Sequence, residues 1–388
     1  VGFLLGLGGL LLVGHVYLWF RLVRSTGTSR RWRVGGAVVL GVLFAVFLTA
    51  VSTQRSAAFS QITLLHGVGN VWLAMVLYLF LALLVGELVR LVVLVVRRSR
   101  ARSSHDGAPV DPRRRLLVSR GIAVGAGVAA TATVGWGMTQ ALSTDVRVLR
   151  QGVPLTRLPA GLDGYRIAVV TDLHLGALNG RAFTERVVAA VNAEQVDAVA
   201  LVGDLVDGSV AALSDSVAPL AGLTSVDGTF FTTGNHEYYS GAGEWMRHLP
   251  TLGITVLHNS SVGVSRGGDS LRIAGINDWT GEENGDPANL QTALADRADG
   301  EPVVLMAHQP RQVGAAAAAD VDLQLAGHTH GGQIWPFHYA VLAQQKVLWG
   351  LSRHDNTWLY TSRGIGFWGP PVRVGAPPDI TVLTLTRP

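Results

Sequence analysis

The chain has 388 residues and a mass of 41.1 kDa, too long for one typical domain, so more than one folding unit is expected. Its 48 % hydrophobic and 15 % charged content, with a mean hydropathy of +0.33, exclude a disordered or collagen-like chain and are too apolar for one ordinary soluble enzyme. The absence of cysteine removes disulfides, thiolate metal sites and cysteine nucleophiles together.

The net charge of +4 conceals an asymmetry. Residues 1–150 hold 17 arginines against four acids (Glu87, Asp106, Asp111, Asp145), whereas residues 151–388 hold 14 basic residues against 23 acids. The N-terminal arginines sit in short blocks between apolar runs, which points to a membrane surface and its lipids rather than to nucleic acid.

Four segments are apolar over the roughly 20 residues that a helix needs to cross a hydrocarbon core: Val1–Phe20, Val34–Ser52, Val68–Val96 and Leu116–Leu142. The sequence does not begin with Met, so its first residues are not taken as the true terminus. The fourth segment is rich in Gly, Ala and Thr, which lowers its hydrophobicity but suits close helix packing. The loop Arg21–Arg33 carries five arginines and the loop Arg97–Arg115 seven, against the single Arg55 after Ser52. By the positive-inside rule these two basic loops are cytoplasmic, and everything after about Leu142 is then extracytoplasmic. Arg113-Arg114-Arg115-Leu116-Leu117 reads either as a plain stop-transfer flank or as an internal export signal of twin-arginine type, with the same topology. Glu87 and Arg90, one helical turn apart, are expected to pair or to reach the interface, and His15 and His66 carry no assigned role.

From about Asp145 the pattern changes to short β-branched runs punctuated by Gly, Asp and Pro. Strands are predicted at Arg166–Thr171, Ala198–Val202, Thr229–Thr233, Ile254–Leu257, Leu271–Ile276, Val303–Ala307, Leu323–Ala326, Trp358–Thr361 and Ile380–Leu385, with helices at Arg181–Asn192 and Val210–Leu220. The alternation gives an α/β domain over 143–388, followed late in the chain by a second, more mixed sheet packed on the first. Residues 1–142 form an all-α transmembrane region of about four helices.

Chemistry appears where the strands end. Asp172 and His174 follow the first predicted strand, Gly203-Asp204 the second, and Gly234-Asn235-His236-Glu237 the third; His308 and the Gly-His-Thr-His run with His328 and His330 come later. Polar groups at the carboxyl ends of strands converge on one sheet edge. Three carboxylate or amide oxygens and several imidazoles there make a site for Mn, Fe or Zn rather than for Cu(I) or an iron–sulfur cluster. A lone Asp-X-His is an ordinary capping feature and a lone Gly-Asp an ordinary turn; five such fragments in order, each after a strand, are not.

This order of fragments resembles the calcineurin-like metallophosphoesterase superfamily over about residues 145–388. The run Gly-His-Thr-His-Gly-Gly-Gln and the tail from Arg363-Gly364-Ile365-Gly366 to Pro378-Asp379-Ile380 resemble its membrane-anchored or exported bacterial branch. The resemblance implies a four-layer α/β/β/α sandwich with two divalent metal ions between the sheets. One metal would take Asp172, His174 and His330, the second Asn235, His308 and His328, with Asp204 bridging them. Two close dications need a shared anionic ligand, and a hydroxide bridging them would attack phosphorus at neutral pH. His236 matches the non-ligand histidine that stabilises the transition state or protonates the leaving oxygen. UDP-diacylglucosamine hydrolases of this superfamily usually carry Arg there, so His236 argues against that activity. Glu237 is expected to be structural or to support the ligands.

The expected function is hydrolysis of a phosphate mono- or diester, of lipid-linked or cell-envelope origin. The alternative is a membrane-anchored sensor or scaffold that binds phosphate compounds without turnover. Transport by the membrane half finds no broken-helix or paired-charge signal. Trp335, Trp349, Trp358 and Trp368, with Phe337 and Phe367, crowd the stretch after the last ligand, where core packing is the expectation and a lipid-facing or substrate-gripping lid the alternative. Oligomeric state is not legible.

Overall fold

The computed structural model describes residues 2–53, 62–101 and 112–388. The chain divides into two compact units, a helical one built from Val1–Thr53 and Leu64–Met138 and a second that holds Thr139–Pro388. The loop that bears Arg55 and most of the basic loop before Arg113 lie outside the described residues.

The helical unit consists of α1 (Gly2–Leu18), α2 (Arg30–Thr53), α3 (Thr63–Ala101) and α4 (Pro112–Ala141), with a π-helical turn Trp19–Arg24 continuing α1. Among the described residues three stretches are long and apolar enough to cross a membrane, namely Arg30–Thr53, Thr63–Val96 and Arg113–Ala141. The region has the four helices expected, and the other, α1, covers the first predicted segment. Among the described residues α1 has 17, and the π-helical turn that continues it carries Arg21 and Arg24. Valines and leucines such as Val38, Val39, Val42, Leu84, Val85 and Leu88 are exposed on α2 and α3, an arrangement suited to lipid as solvent. Small residues mediate the contacts: a Cβ on Gly69 would meet that of Ala50 at 2.6 Å, and one on Gly86 would meet Ile122 Cγ2 at 2.7 Å. Glu87 pairs with Arg21 and lies 3.7 Å from Arg90, and His15 Nε2 accepts from Trp72 Nε1 at 2.9 Å. These polar contacts all lie within the unit.

The second unit runs β1 (Val148–Pro154), β2 (Arg166–Val170), α5 (Arg181–Asn192), β3 (Ala198–Val202), α6 (Val210–Val217), β4 (Gly228–Thr232), α7 (Asn235–Ser240), α8 (Ala242–His248), β5 (Ile254–Val256), β6 (Ser260–Arg266), β7 (Asp269–Gly275), α9 (Leu290–Ala293), β8 (Val303–Met306), α10 (Val313–Ala318), β9 (Leu323–Ala326), α11 (His338–Gln345), β10 (Gly350–His354), β11 (Thr357–Thr361) and β12 (Ile380–Thr386). They form two six-stranded sheets, ordered β1-β12-β2-β3-β4-β5 and β10-β11-β9-β8-β7-β6. In the first, β2 to β5 are parallel and β12 returns antiparallel beside β2, with Thr381 opposite Val169. In the second, β7, β8, β9 and β11 are parallel, and β6 and β10 close the edges antiparallel.

Alternation along β2 separates the layers. Ile167 and Val169 face the second sheet, packing in one core with Ile273, Val304, Met306 and Leu325. Ala168 and Val170 face outward onto α5, α6 and α8, among Val187, Val191, Leu213 and Trp245. On the far side Leu305 and Ala307 pack with Ala316 of α10. The result is an α/β/β/α sandwich. Helix α5 reads this plan directly: Thr184, Val187, Val188 and Val191 fall at i, i+3, i+4 and i+7 and are buried, and each such Val contributes about 1.5–3 kcal/mol.

Candidate metal centre

Strand β2 ends at Val170, β3 at Val202, β4 at Thr232, β8 at Met306 and β9 at Ala326, and a chemistry-bearing loop leaves each. Because these strands run parallel within each sheet, their loops meet at one edge of the sandwich. All eight residues predicted as ligands or acid are brought together there. His174 Nε2 lies 3.0 Å from His330 Nε2 and 3.7 Å from Asp204 Oδ2; Asp172 Oδ1 is 3.3 Å from His330 Nε2. Asp204 Oδ2 is 3.3 Å from His308 Nε2 and 4.0 Å from His236 Nε2, and His328 Nδ1 is 2.9 Å from Asn235 Oδ1. Donor atoms of Asp172, His174 and His330 form one metal-sized group, and those of Asp204, His308 and His328 another.

The loops are held in unusual backbone. Asp172 (φ 54°), His174 (46°), Asp204 (53°), His328 (68°) and His330 (49°) are all left-handed, which costs on the order of 1–3 kcal/mol each and persists where the surroundings enforce it. Close approach enforces it here. A Cβ on Gly234 would lie 2.3 Å from Asp204 Oδ1, and one on Gly327 would lie 2.3 Å from Asp172 Oδ2, so only glycine lets these loops seat against the carboxylates. Backbone N–H groups then bond them: His236 N donates to Asp204 Oδ1 at 2.9 Å, and His328 N to Asp172 Oδ1 at 3.0 Å.

Two acids build the frame. Glu237 Oε2 accepts from Asp204 N at 2.9 Å and Gly234 N at 2.6 Å, and its Oε1 accepts from Leu205 N at 2.7 Å, which ties the loops after β3 and β4 together. Burial, reinforced by the charge of Asp204, pushes the Glu237 carboxyl up to about 7. The supporting role expected of Glu237 is the role its contacts describe. Asp207 was not singled out by the sequence reading. Its Oδ1 lies 2.5 Å from His236 Nδ1 and 3.2 Å from His174 Nδ1, and it forms a third cluster with those two residues. Burial would raise its pKa, yet His174 and His236 hold it below the usual carboxylate range. Its signal in the sequence is the spacing Gly203-Asp204-Leu205-Val206-Asp207, a second acid three residues after the first.

The donor set fits divalent metal ions. His308 Nδ1 lies 2.8 Å from the Val202 carbonyl oxygen and donates to it, which leaves a lone pair on Nε2. That atom is buried, has no hydrogen-bond partner, and faces a carboxylate oxygen of Asp204. A cation held between these two atoms, a proton or a metal ion in its place, satisfies both. Burial opposes ionisation of Asp204, but His308 and His236 beside it hold its pKa well below the ordinary value, so it is an anion at the centre of the cluster. Behind His330 stands Arg373, fully buried, which donates to the carbonyl oxygens of Arg363, Gly364 and Ala376 and reaches 3.1 Å from His330 Nδ1. Burial lowers its pKa to about 10, still a cation at neutral pH.

The aromatic stretch after the last ligand departs from expectation. Phe367 is buried and Trp358 half-buried, its Nε1 donating to the Pro154 carbonyl oxygen at 2.7 Å, but Trp335, Phe337, Trp349 and Trp368 are exposed. Core packing accounts for two of the six. The reason is positional: the four exposed rings lie in the connections between β9 and β10 and between β11 and β12, outside the strands that carry the cores. Beside it a cavity of about 220 Å³, lined by Trp349, Thr361, Arg363 and Asp379, contains none of the candidate ligands.

A two-sheet α/β sandwich with clustered His and Asp side chains at one edge defines a metallohydrolase architecture. The family model for calcineurin-like phosphoesterase matches residues 165–332. A Bos taurus transmembrane protein with metallophosphoesterase domain is 31% identical over 401 residues, covering 97% of this chain and 87% of that one. Its Danio rerio counterpart is 29% identical over 405 residues, covering 100% and 90%. A Helicobacter pylori metallophosphoesterase is 40% identical over 223 residues, 57% of this chain and 59% of that one, so the chain spans less than two thirds of this relative. The chain belongs to the calcineurin-like phosphoesterase family. By class it is a membrane-associated metallophosphoesterase, a hydrolase with a site suited to two metals.

Proposed function

We propose that the protein hydrolyses phosphate mono- or diesters at a two-metal centre, with lipid-linked or cell-envelope phosphoesters as its substrate class. The observation that carries this reading is the buried, unpartnered His308 Nε2 facing Asp204. Asp172, His174 and His330 would hold one ion, Asn235, His308 and His328 the other, and Asp204 lies between the two sets. When bound, two divalent ions (Mn, Fe or Zn) supply Lewis acidity toward the phosphoryl oxygens and make a nucleophile available from water at neutral pH.

The chain's own residues do the rest. Asp207 accepts from Nδ1 of His236, which turns Nε2 toward the centre as the proton donor for the leaving oxygen. The same carboxylate fixes the tautomer of His174, leaving its Nε2 free as a ligand atom. Glu237 keeps Asp204 in place through the backbone. We divide the chain into a transmembrane helical region, 1–142, and a phosphoesterase domain, 143–388, multi-pass and with the catalytic domain extracytoplasmic; the arginine asymmetry of the loops supports this orientation.

Metal analysis of the purified full chain, together with a screen of phosphomonoesters, phosphodiesters and phospholipids, tests the reading. The expected result is two bound metals per chain and turnover of one ester class that chelation abolishes. A fully metallated protein that binds inorganic phosphate and turns over none of these would overturn it in favour of a sensor or scaffold.

A further inference from the structure

Among the described residues of the second unit, large exposed apolar side chains gather in one stretch: Trp335, Phe337, Tyr339, Leu342, Trp349 and Trp368. Elsewhere in that unit Ile62, Leu142, Val226, Tyr239 and Trp279 share such exposure among the described residues, scattered singly along the chain. Phe337 and Tyr339 are 54 % and 64 % exposed, values at which an aromatic ring contributes almost nothing to the core of its own chain. The stretch is continuous in space. The Gln333 side chain brackets Trp368, Nε2 donating to its carbonyl oxygen at 2.8 Å and Oε1 accepting from its N–H at 2.9 Å. Thr329 Oγ1 donates to the Leu348 carbonyl oxygen at 2.5 Å, which ties the Trp349 turn to the His328–His330 loop. Tyr339 and Leu342 fall on one face of α11.

Two facts say what covers this surface. Residues 323–354 contain no Asp or Glu, in a half of the chain where acids outnumber bases, and the rim carries the exposed Lys346. The rim also borders the metal centre: the Trp368 ring is 6.4 Å from that of His236, and Gly331 and Gly332 alone separate His330 from Gln333. Exposed Trp and Tyr with a cation and no acids match the headgroup region of an anionic membrane, where amphipathic rings are stable and carboxylates are repelled. Among the described residues three helices are long and apolar enough to cross a membrane; anchored by them, the second unit meets a bilayer at an effective concentration on the order of millimolar, and even weak docking is populated.

We propose that the rim formed by residues 335–349 and Trp368 docks on an anionic phospholipid surface at the mouth of the metal centre. It delivers esters held in or near the headgroup layer to that mouth. The docking itself requires neither metal nor turnover.

The absence of cysteine makes the test direct, because one introduced thiol carries the only label. Phe337→Cys, Tyr339→Cys and, as an aqueous control, Val226→Cys in the full chain are spin-labelled and placed in nanodiscs of phosphatidylcholine, with or without phosphatidylglycerol. Accessibility to oxygen, which partitions into lipid, is compared with accessibility to a water-soluble nickel chelate. Both rim labels should show an oxygen-to-nickel ratio several-fold above that of the Val226 label, rising further with phosphatidylglycerol. Two rim positions guard against one variant failing to fold, which circular dichroism reports. Rim labels that track Val226 would overturn docking. Equal ratios in both lipids would overturn the anionic component. Labels shielded from both reagents would overturn the lipid assignment in favour of a protein partner or second copy. Because the readout is independent of hydrolysis, none of these outcomes bears on the phosphoesterase reading.

Discussion

Replacing Asp207 by Asn isolates the contribution of a residue that touches no proposed metal directly. The carboxylate accepts from two imidazole Nδ1–H groups, His236 at 2.5 Å and His174 at 3.2 Å. An amide of the same shape offers one acceptor oxygen and turns an N–H toward the other imidazole. One of the two rings therefore loses a hydrogen bond to a charged partner, worth about 1.5–3 kcal/mol, and is driven to the tautomer with its proton on Nε2. If the ring is His174, a ligand lone pair is lost, and at about 1.4 kcal/mol per factor of ten metal affinity falls roughly 10- to 100-fold. If it is His236, the proton donor is misoriented and kcat falls about 10²–10⁴-fold at saturating metal. Metal titration against a competing chelator, followed by steady-state kinetics in excess metal, reads the two effects separately. Asp207→Asn with metal affinity and kcat both within about twofold of the parent would refute the assignment of Asp207 as the anchor of both imidazoles.

Asp204→Asn should retain the bond from His236 N to the remaining oxygen and hence the fold, but lose at least one metal and most activity, as metal analysis and circular dichroism together would show. His236→Ala should keep both metals yet slow turnover by about 10²–10⁴-fold, with part of the rate recovered on a nitrophenyl ester; equal losses on good and poor leaving groups would rule out proton donation and favour an electrostatic role. Burial, aided for Tyr165 by Asp227 at 2.8 Å and for Tyr238 by Asp286 at 2.9 Å, raises the pKa of both phenols. The folded state therefore keeps protons that the unfolded chain releases near pH 10, so their stabilisation is intact below about 10 and declines above it. Tyrosinate absorbance from these residues should appear together with loss of circular dichroism, and ionisation preceding unfolding would contradict it. Protease added to intact spheroplasts should remove the phosphoesterase domain; full protection until lysis would place the domain in the cytosol and redirect the substrate search to nucleotides and cytosolic phosphoesters.

Periodicity and residue type made much of the architecture legible. The helix predicted at Arg181–Asn192 has those bounds in the structure, and the strands Ala198–Val202 and Leu323–Ala326 do as well, because each is a continuous apolar or amphipathic run with clear punctuation. Strands β1, β6 and β10 were not legible, since they are edge strands whose exposed residues break the apolar pattern, as in the run Val148–Pro154. The short helix α7 was hidden because its residues Asn235, His236 and Glu237 read as chemistry, not as helix.

Residue types and their order along the chain carry the chemistry of the site: which side chains follow which strands, and hence a nitrogen and oxygen donor set without thiols. Only the tertiary structure decided which atoms meet. Asp207 gains meaning from two imidazoles, one from the loop after β2 and one from α7, and His308 Nε2 becomes an unpartnered donor because its other nitrogen is spent on Val202 of a strand 106 residues away. The aromatic segment shows the same division in reverse. Its composition suited a core, but a core is a place and not a composition, and the four exposed rings lie in the connections between β9 and β10 and between β11 and β12, outside both sheets. Hydrogen-bond pairing and burial are long-range facts, fixed when the sheets close on each other, and no local pattern encodes them.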